Sequence, residues 1–193
     1  MSNIIFFSLI SYLLGSIPFG FVLTKIFLKK DIRKIGSGNI GATNALRTGN
    51  KLIGYLTLVM DIIKTILPIL YVKLNYPDLI YICSLCVFLG HVFPIWLNFK
   101  GGKGVATYIG ILFCINIYLG LYFVLSWLLI YYIFKYSSLG SIISTLTLPL
   151  FIFVTPFYNL NYYFFIMMVL IIYTHRQNLK RLINKEESKT KIY

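Results

Sequence analysis

Long apolar runs separated by short polar segments set the first expectation for this chain of 193 residues. A bilayer core of about 30 Å is crossed by roughly 20 helical residues, fewer where a helix is kinked or shielded. By that measure the runs predict seven transmembrane helices, at about 4–24, 52–72, 79–98, 104–117, 119–135, 139–156 and 161–174. They are continuous stretches of Ile, Leu and Phe, without the alternation of a membrane β-barrel. The expected fold class is all-α, a polytopic helical bundle forming one integral-membrane domain over 1–193 with a tail at 175–193. The first run has no basic leader and no A-x-A cleavage site, so it reads as a retained span rather than a signal peptide.

Composition agrees with the pattern. Hydrophobic residues make up 59% of the chain and charged residues 12%, whereas a soluble domain is about one quarter charged. The 18 Lys and Arg against 5 Asp and Glu leave a formal charge of +13. Of the basic residues, seven lie in 25–51, two in 99–103, one at 135 and six in the tail, which places 16 of 18 on one face of a seven-span chain. The positive-inside rule makes that face cytoplasmic, with the N-terminus outside and the C-terminus inside. Topology, anionic lipid and an anionic substrate account for the basic excess, and no nucleic-acid partner is expected. Five acids leave little for a carboxylate metal site. Cys83, Cys86 and Cys114 lie in apolar runs with no second Cys/His pair at zinc spacing, so neither metal nor cofactor is expected.

Three polar segments on the basic face carry the candidate chemistry. Asp31–Arg47 reads DIRKIGSGNIGATNALR, and glycines at 36, 38 and 41 are expected to turn backbone N–H groups toward one point. Ser37, Asn39, Thr43, Asn44 and Arg47 would ring that concavity, which suits a phosphate. Next comes Gly90-His91-Val92-Phe93-Pro94, followed by Lys100-Gly101-Gly102-Lys103-Gly104 opening a helix. Its spacing does not fit a Walker loop, but it offers backbone amides and two ammonium groups. The third segment, His175-Arg176-Gln177-Asn178-Leu179-Lys180-Arg181-Leu182, places His175 and Asn178 on one helical face. Each has a plainer reading, as a flexible turn or as a basic helix lying on anionic lipid. Two intramembrane features complete the set. Asp61 and Lys64, three residues apart in the second span, must pair or line a polar cavity. Ser137, Ser138 and Ser141, after Lys135, are either helix caps or phosphate donors.

In this order the segments GSGNIGATN…R (36–47), GHVFP…FKGGKGVAT (90–107) and HRQNLKRL…E (175–187) resemble the integral-membrane, acyl-phosphate-dependent glycerol-3-phosphate acyltransferases of bacteria. Gly-Ser-Ile-Pro-Phe-Gly at 15–20, the DxxK at Asp61/Lys64 and Ser138-Leu139 are similar to that family too. The chain departs from it at Lys185, where a Gly is usual, and at Thr65, which replaces the Gly that commonly follows DxxK. The resemblance implies transfer of a fatty acyl group from acyl phosphate to the 1-hydroxyl of glycerol 3-phosphate, giving lysophosphatidate and phosphate. It also implies a multi-pass protein of the bacterial inner membrane with its site facing the cytoplasm, and no cofactor. Expected partners are glycerol 3-phosphate, fatty acyl phosphate and membrane lipids, with a soluble acyl-phosphate-supplying enzyme as a further candidate.

The residues carried over as catalytic are His175, Lys103, Arg47 and Asn178. Substrate contacts are expected from Ser37, Gly38, Asn39, Asn44, Lys100, Gly101, Gly102, Gly104, Ser138, Ser141 and His91. Ser37, Asn39, Arg47, Lys103 and Asn178 are assigned to glycerol 3-phosphate; Lys100, Gly101, Gly102, Ser141 and His175 are assigned to the acyl phosphate. The base that deprotonates the hydroxyl is left open among His175, His91 and a substrate phosphate. Two other classes stay open at the level of sequence: a transporter for a small phosphate-bearing anion, and a non-catalytic scaffold.

Overall fold

The computed structural model describes residues 1–155 and 162–190. The limits of the sixth and seventh expected spans at 156 and 161, and the tail from 191 onward, lie outside the described residues. Every regular element described is helical. Among the described residues, five apolar segments are long enough to cross a membrane, at Ser2–Phe27, Lys51–Asn75, Pro77–Leu97, Ile117–Phe134 and Ser137–Val154. Two shorter apolar helices, Val105–Ile115 and Tyr162–Thr174, occupy the positions of the fourth and seventh expected spans. At 1.5 Å per residue, the 11 residues of Val105–Ile115 rise only about 16 Å, about half of a bilayer core. The chain divides into two compact units, 1–114 and 115–193.

In the first unit, the opening apolar run is two helices rather than one. Helix α1 (Ser2–Gly15) ends at Ser16, and α2 (Phe19–Phe27) starts after Pro18. Proline lacks an amide hydrogen and its ring displaces the preceding turn, so the break falls where that residue requires it. A short helix, α3 (Ala42–Leu46), leads into α4 (Lys51–Asn75), whose first turn is capped by Asn50 accepting from the Ile53 amide at 3.1 Å. Helix α5 (Ile80–Val92) packs closely on α1, where Gly15 lies against the backbone of Val87 and Gly90 against that of Tyr12. Small residues at such a crossing allow the close backbone approach that drives helix association in lipid. Helix α6 (Val105–Ile115) follows the KGGKG segment.

The second unit consists of α7 (Ile117–Phe134), α8 (Ser137–Val154), α9 (Tyr162–Thr174) and α10 (Arg176–Ile183). Ser126 and Ser144 share a hydrogen bond of 2.9 Å between α7 and α8. After α10 the tail turns back: Thr190 donates its amide to the Lys135 carbonyl at 2.9 Å, and the Tyr131 hydroxyl donates to the Thr190 carbonyl at 2.7 Å. The tail is therefore tied to the end of α7.

Candidate active site

Within the first unit the Asp31–Arg47 loop is built around one side chain. Asn44 is buried, with its Oδ1 accepting from the Ser37 amide at 3.0 Å. Its Nδ2 donates to the carbonyls of Ile32, Ile35 and Asn39 at 3.1, 2.9 and 2.8 Å. An amide carries two donor hydrogens and one acceptor oxygen, so both ends of the Asn44 amide are committed to the loop. Asn44 thereby shapes the backbone of the loop. Beneath the loop, Ile32, Ile40, Ala45, Ile53 and Leu97 form one buried apolar cluster, with Phe21, Leu23 and Leu28 packed against it. Leu97 belongs to a short turn, Ile95–Leu97, just ahead of KGGKG, so the first two polar segments stand on a shared core.

The glycines divide. Gly36 and Gly38 have φ of 54° and 71°, the left-handed region in which a Cβ is costly. Gly41 has φ −82°, ordinary extended backbone, and its amide donates to Asn39 Oδ1 at 2.9 Å, so its expected positive φ is corrected. Ser37 is exposed, while Gly38, Asn39 and Arg47 are half-buried. Asp31 and Arg33 pair with each other at 2.8 Å, and the Arg33 guanidinium holds the Asp31 carboxyl down at about 2.

The second segment also differs from expectation. The Gly101 and Gly102 amides donate to the carbonyls of Val92 and His91, each at 3.0 Å. Those two N–H groups are therefore paired with the end of α5. What the segment presents instead is the start of α6, whose first amides have no carbonyl one turn earlier. Gly104 enters it with φ 83°. Lys100 is exposed and Lys103 half-buried. Thr107, in that first turn, has a buried Oγ1 with no hydrogen-bond partner among the described residues. The sequence reading gave Thr107 no role, although it is a hydroxyl in the opening turn of a helix after a glycine-rich entry.

His91 is buried at the end of α5. Its Nδ1 lies 3.1 Å from Lys64 Nζ, which also reaches Asp61 Oδ1 at 2.9 Å and donates to the Ile17 carbonyl at 2.7 Å. Asp61 and Lys64 thus form a paired cluster with Ile17 and His91, the mutual pairing their spacing predicts.

In the second unit, Glu187 is the centre. One carboxylate oxygen accepts from Ser138 Oγ at 2.7 Å and from Asn178 Nδ2 at 2.5 Å; the other accepts from Arg181 Nε at 2.6 Å. Partial burial pushes this carboxyl up, but bonds from Ser138, Arg181 and Asn178, with the Arg181 charge, outweigh it and hold Glu187 below its ordinary value. Ser138 donates to the protein's own carboxylate. Ser141 donates to the Ser137 carbonyl at 3.0 Å and accepts from Trp127 Nε1 at 3.2 Å. His175, buried between α9 and α10, has Nδ1 at 2.8 Å from the Ile171 carbonyl. A carbonyl only accepts, so Nδ1 carries the proton and Nε2 is the basic nitrogen. Glu187 closed the third sequence segment, yet nothing local identified it as the anchor of Asn178.

The comparisons extend this picture. A family model described as glycerol-3-phosphate acyltransferase matches residues 5–185. Among curated relatives, a glycerol-3-phosphate acyltransferase of Pelagibacter ubique (strain HTCC1062) is 69% identical over 96% of this chain and 97% of its own length. One from Anaplasma marginale (strain Florida) is 44% identical over 93% of this chain and 91% of its own. Crystal structures of PlsY, an integral membrane glycerol 3-phosphate acyltransferase, superpose with TM-scores of 0.92 for its glycerol 3-phosphate form and 0.89 for its lysophosphatidic acid form. Both are 36% identical and cover 98% of this chain and 96% of theirs. An all-helical fold with membrane-length apolar segments and these likenesses define an integral-membrane acyltransferase. The chain belongs to the glycerol-3-phosphate acyltransferase family.

Proposed function

We propose that this protein transfers a fatty acyl group from acyl phosphate to the 1-hydroxyl of sn-glycerol 3-phosphate, at the cytoplasmic face of a bacterial inner membrane. The products are 1-acyl-glycerol 3-phosphate and inorganic phosphate, the first acylation of phospholipid synthesis. The observation that carries the proposal is its 36% identity, over nearly the whole chain, to a solved acyltransferase captured with glycerol 3-phosphate and with lysophosphatidic acid. The orientation rests on the 16 of 18 basic residues assigned to one face.

Both substrates are phosphate anions, and one has an apolar chain. A site at the membrane surface lets the acyl chain lie among helices while the phosphates meet cations. Charge-assisted hydrogen bonds to phosphate contribute about 1.5–3 kcal/mol each. In the first unit Ser37, Asn39, Arg47 and Lys103 hold glycerol 3-phosphate. In the same unit the acyl phosphate meets Lys100 and the α6 N-terminus with Thr107. Acyl phosphate has a good leaving group, so positioning and electrostatic stabilisation of the developing oxyanion supply most of the acceleration.

The hydroxyl oxygen attacks the acyl carbonyl carbon, the acyl C–O bond to phosphate breaks, and phosphate leaves. His175 Nε2 takes the hydroxyl proton. His91 is unsuited to that task, because its Nδ1 faces an ammonium that only donates. Purified protein in detergent, given palmitoyl phosphate and glycerol 3-phosphate, should release lysophosphatidate and phosphate without any sealed vesicle. His175→Ala should lower kcat by about 10²-fold or more. Absence of product with the wild type refutes the proposal, and near-wild-type kcat in the variant refutes His175 as base.

A further inference from the structure

We infer that the buried Asp61–Lys64 pair is a positioning device, which fixes His91 with its Nε2–H directed at the Gly101–Gly102 turn and so sets the shape of the phosphate-binding entry to α6. The inference deepens the acyltransfer reading and rests on it for its kinetic arm. It also accounts for two sequence features that the reaction does not use, the Gly15–Gly20 segment and the DxxK.

The geometry starts at the break in the first apolar run. Where α1 stops, the chain turns through Ile17 and Pro18, and the Ile17 carbonyl accepts a local bond from the Phe19 amide at 3.2 Å. Lys64 Nζ donates to that carbonyl at 2.7 Å. The same nitrogen lies 3.1 Å from His91 Nδ1, so the ammonium bridges two segments by hydrogen bonds, while Asp61 Oδ1, 2.9 Å away, pairs with it by charge. Asp61 Oδ1 is 3.7 Å from His91 Nδ1, beyond hydrogen-bond reach, so the ammonium sets the ring's proton. An ammonium cannot accept; Nδ1 must therefore be the acceptor and Nε2 the protonated nitrogen.

The other edge of the ring meets the second motif. A Cβ built on Gly102 would overlap His91 Nε2, with the rest of the ring close behind. The Gly102 amide meanwhile donates to the His91 carbonyl at 3.0 Å. Backbone and ring of one residue thus template the turn that leads into α6. Asp61 makes the arrangement tolerable in the membrane by compensating the Lys64 charge. Neither Asp61 nor Lys64 touches substrate on this account.

Two measurements test it. The chain contains two histidines, so 15N spectra of histidine-labelled protein in micelles resolve His91 once a His91→Gln variant assigns it. Wild type should show Nδ1 unprotonated and Nε2 protonated, and Lys64→Met should lose that preference. A wild-type ring with the proton on Nδ1 overturns the inference, whatever the protein catalyses. The kinetic arm uses Lys64→Met and the charge-neutral double variant Asp61→Asn/Lys64→Met, which leaves no lone buried charge if the single variant fails to fold. In the folded double variant, KM for one phosphate substrate should rise by roughly tenfold or more while KM for the other holds. Unchanged KM for both substrates overturns the inference. A wild type without acyltransferase activity would instead refute the reaction, and the tautomer result would still stand on its own.

Discussion

Replacing Glu187 with Ala should release the tail and Asn178 together. The carboxylate receives hydrogen bonds from Ser138, Asn178 and Arg181, and its side chain is only 7% exposed. Bonds to a charged acceptor contribute about 1.5–3 kcal/mol each when shielded. The Arg181 side chain is 34% exposed, so solvent screens that bond and its share falls below about 1 kcal/mol. The Ser138 and Asn178 donors lose a charged partner and regain water only in part. The net cost is about 3 kcal/mol, which for a chain of this size corresponds to a fall in Tm of roughly 6–12 °C. Glu187→Gln keeps an acceptor oxygen and should cost about half as much. Thermal unfolding in detergent, read by intrinsic fluorescence, measures the first quantity. Hydrogen exchange at the Thr190 amide, which donates to Lys135, measures release of the tail. A Glu187→Ala protein with wild-type Tm and unchanged Thr190 protection would refute the assignment of Glu187 as the anchor.

Three further outcomes are expected. Lys185 has φ 61° and closes α10, with the Glu186 amide donating to Arg181 and its own amide to Leu182, a left-handed helix end that favours glycine; Lys185→Gly should slow exchange of the 186–190 amides by a factor of about 2–5, and faster exchange would count against that geometry. Asn44→Asp sets a carboxylate against the carbonyls of Ile32, Ile35 and Asn39, so it should cost about 2–4 kcal/mol in thermal stability and raise KM for glycerol 3-phosphate. Because Glu187 is held below its ordinary 4.5, tail docking should be fully present above that pH and be lost as pH falls through the lower folded value. Trp127, stacked on Tyr131, reports this by fluorescence in a Trp96→Phe background, and a loss centred above pH 6 would contradict it.

Much of the fold was legible because apolar run length answers directly to bilayer thickness, and the described helices fall where the runs do. The break at Pro18 was written in the sequence too, but hydropathy averages over it. The loops were legible in composition and misread in detail. Three glycines in one segment look alike on paper, yet only Gly36 and Gly38 take positive φ, because Asn39 receives the Gly41 amide in an extended conformation. Asn44 looked like a ligand residue, since an amide near a phosphate loop has the right chemistry. Its carbonyl partners, 5 to 12 residues away, give it a structural task that composition does not show. The Gly101 and Gly102 amides were likewise claimed by the end of α5, a contact set by tertiary packing. The two histidines look alike in the sequence; in the structure one ring faces a carbonyl and the other the Lys64 ammonium.

The interruption at Ile17–Pro18 has an evolutionary corollary. A straight first helix would engage the Ile17 carbonyl and leave Lys64 with one acceptor fewer, while a bent one without Lys64 would leave that carbonyl only its 3.2 Å bond from the Phe19 amide. Neither change is comfortable alone, so proline and lysine are expected to be gained or lost as a couple among related proteins.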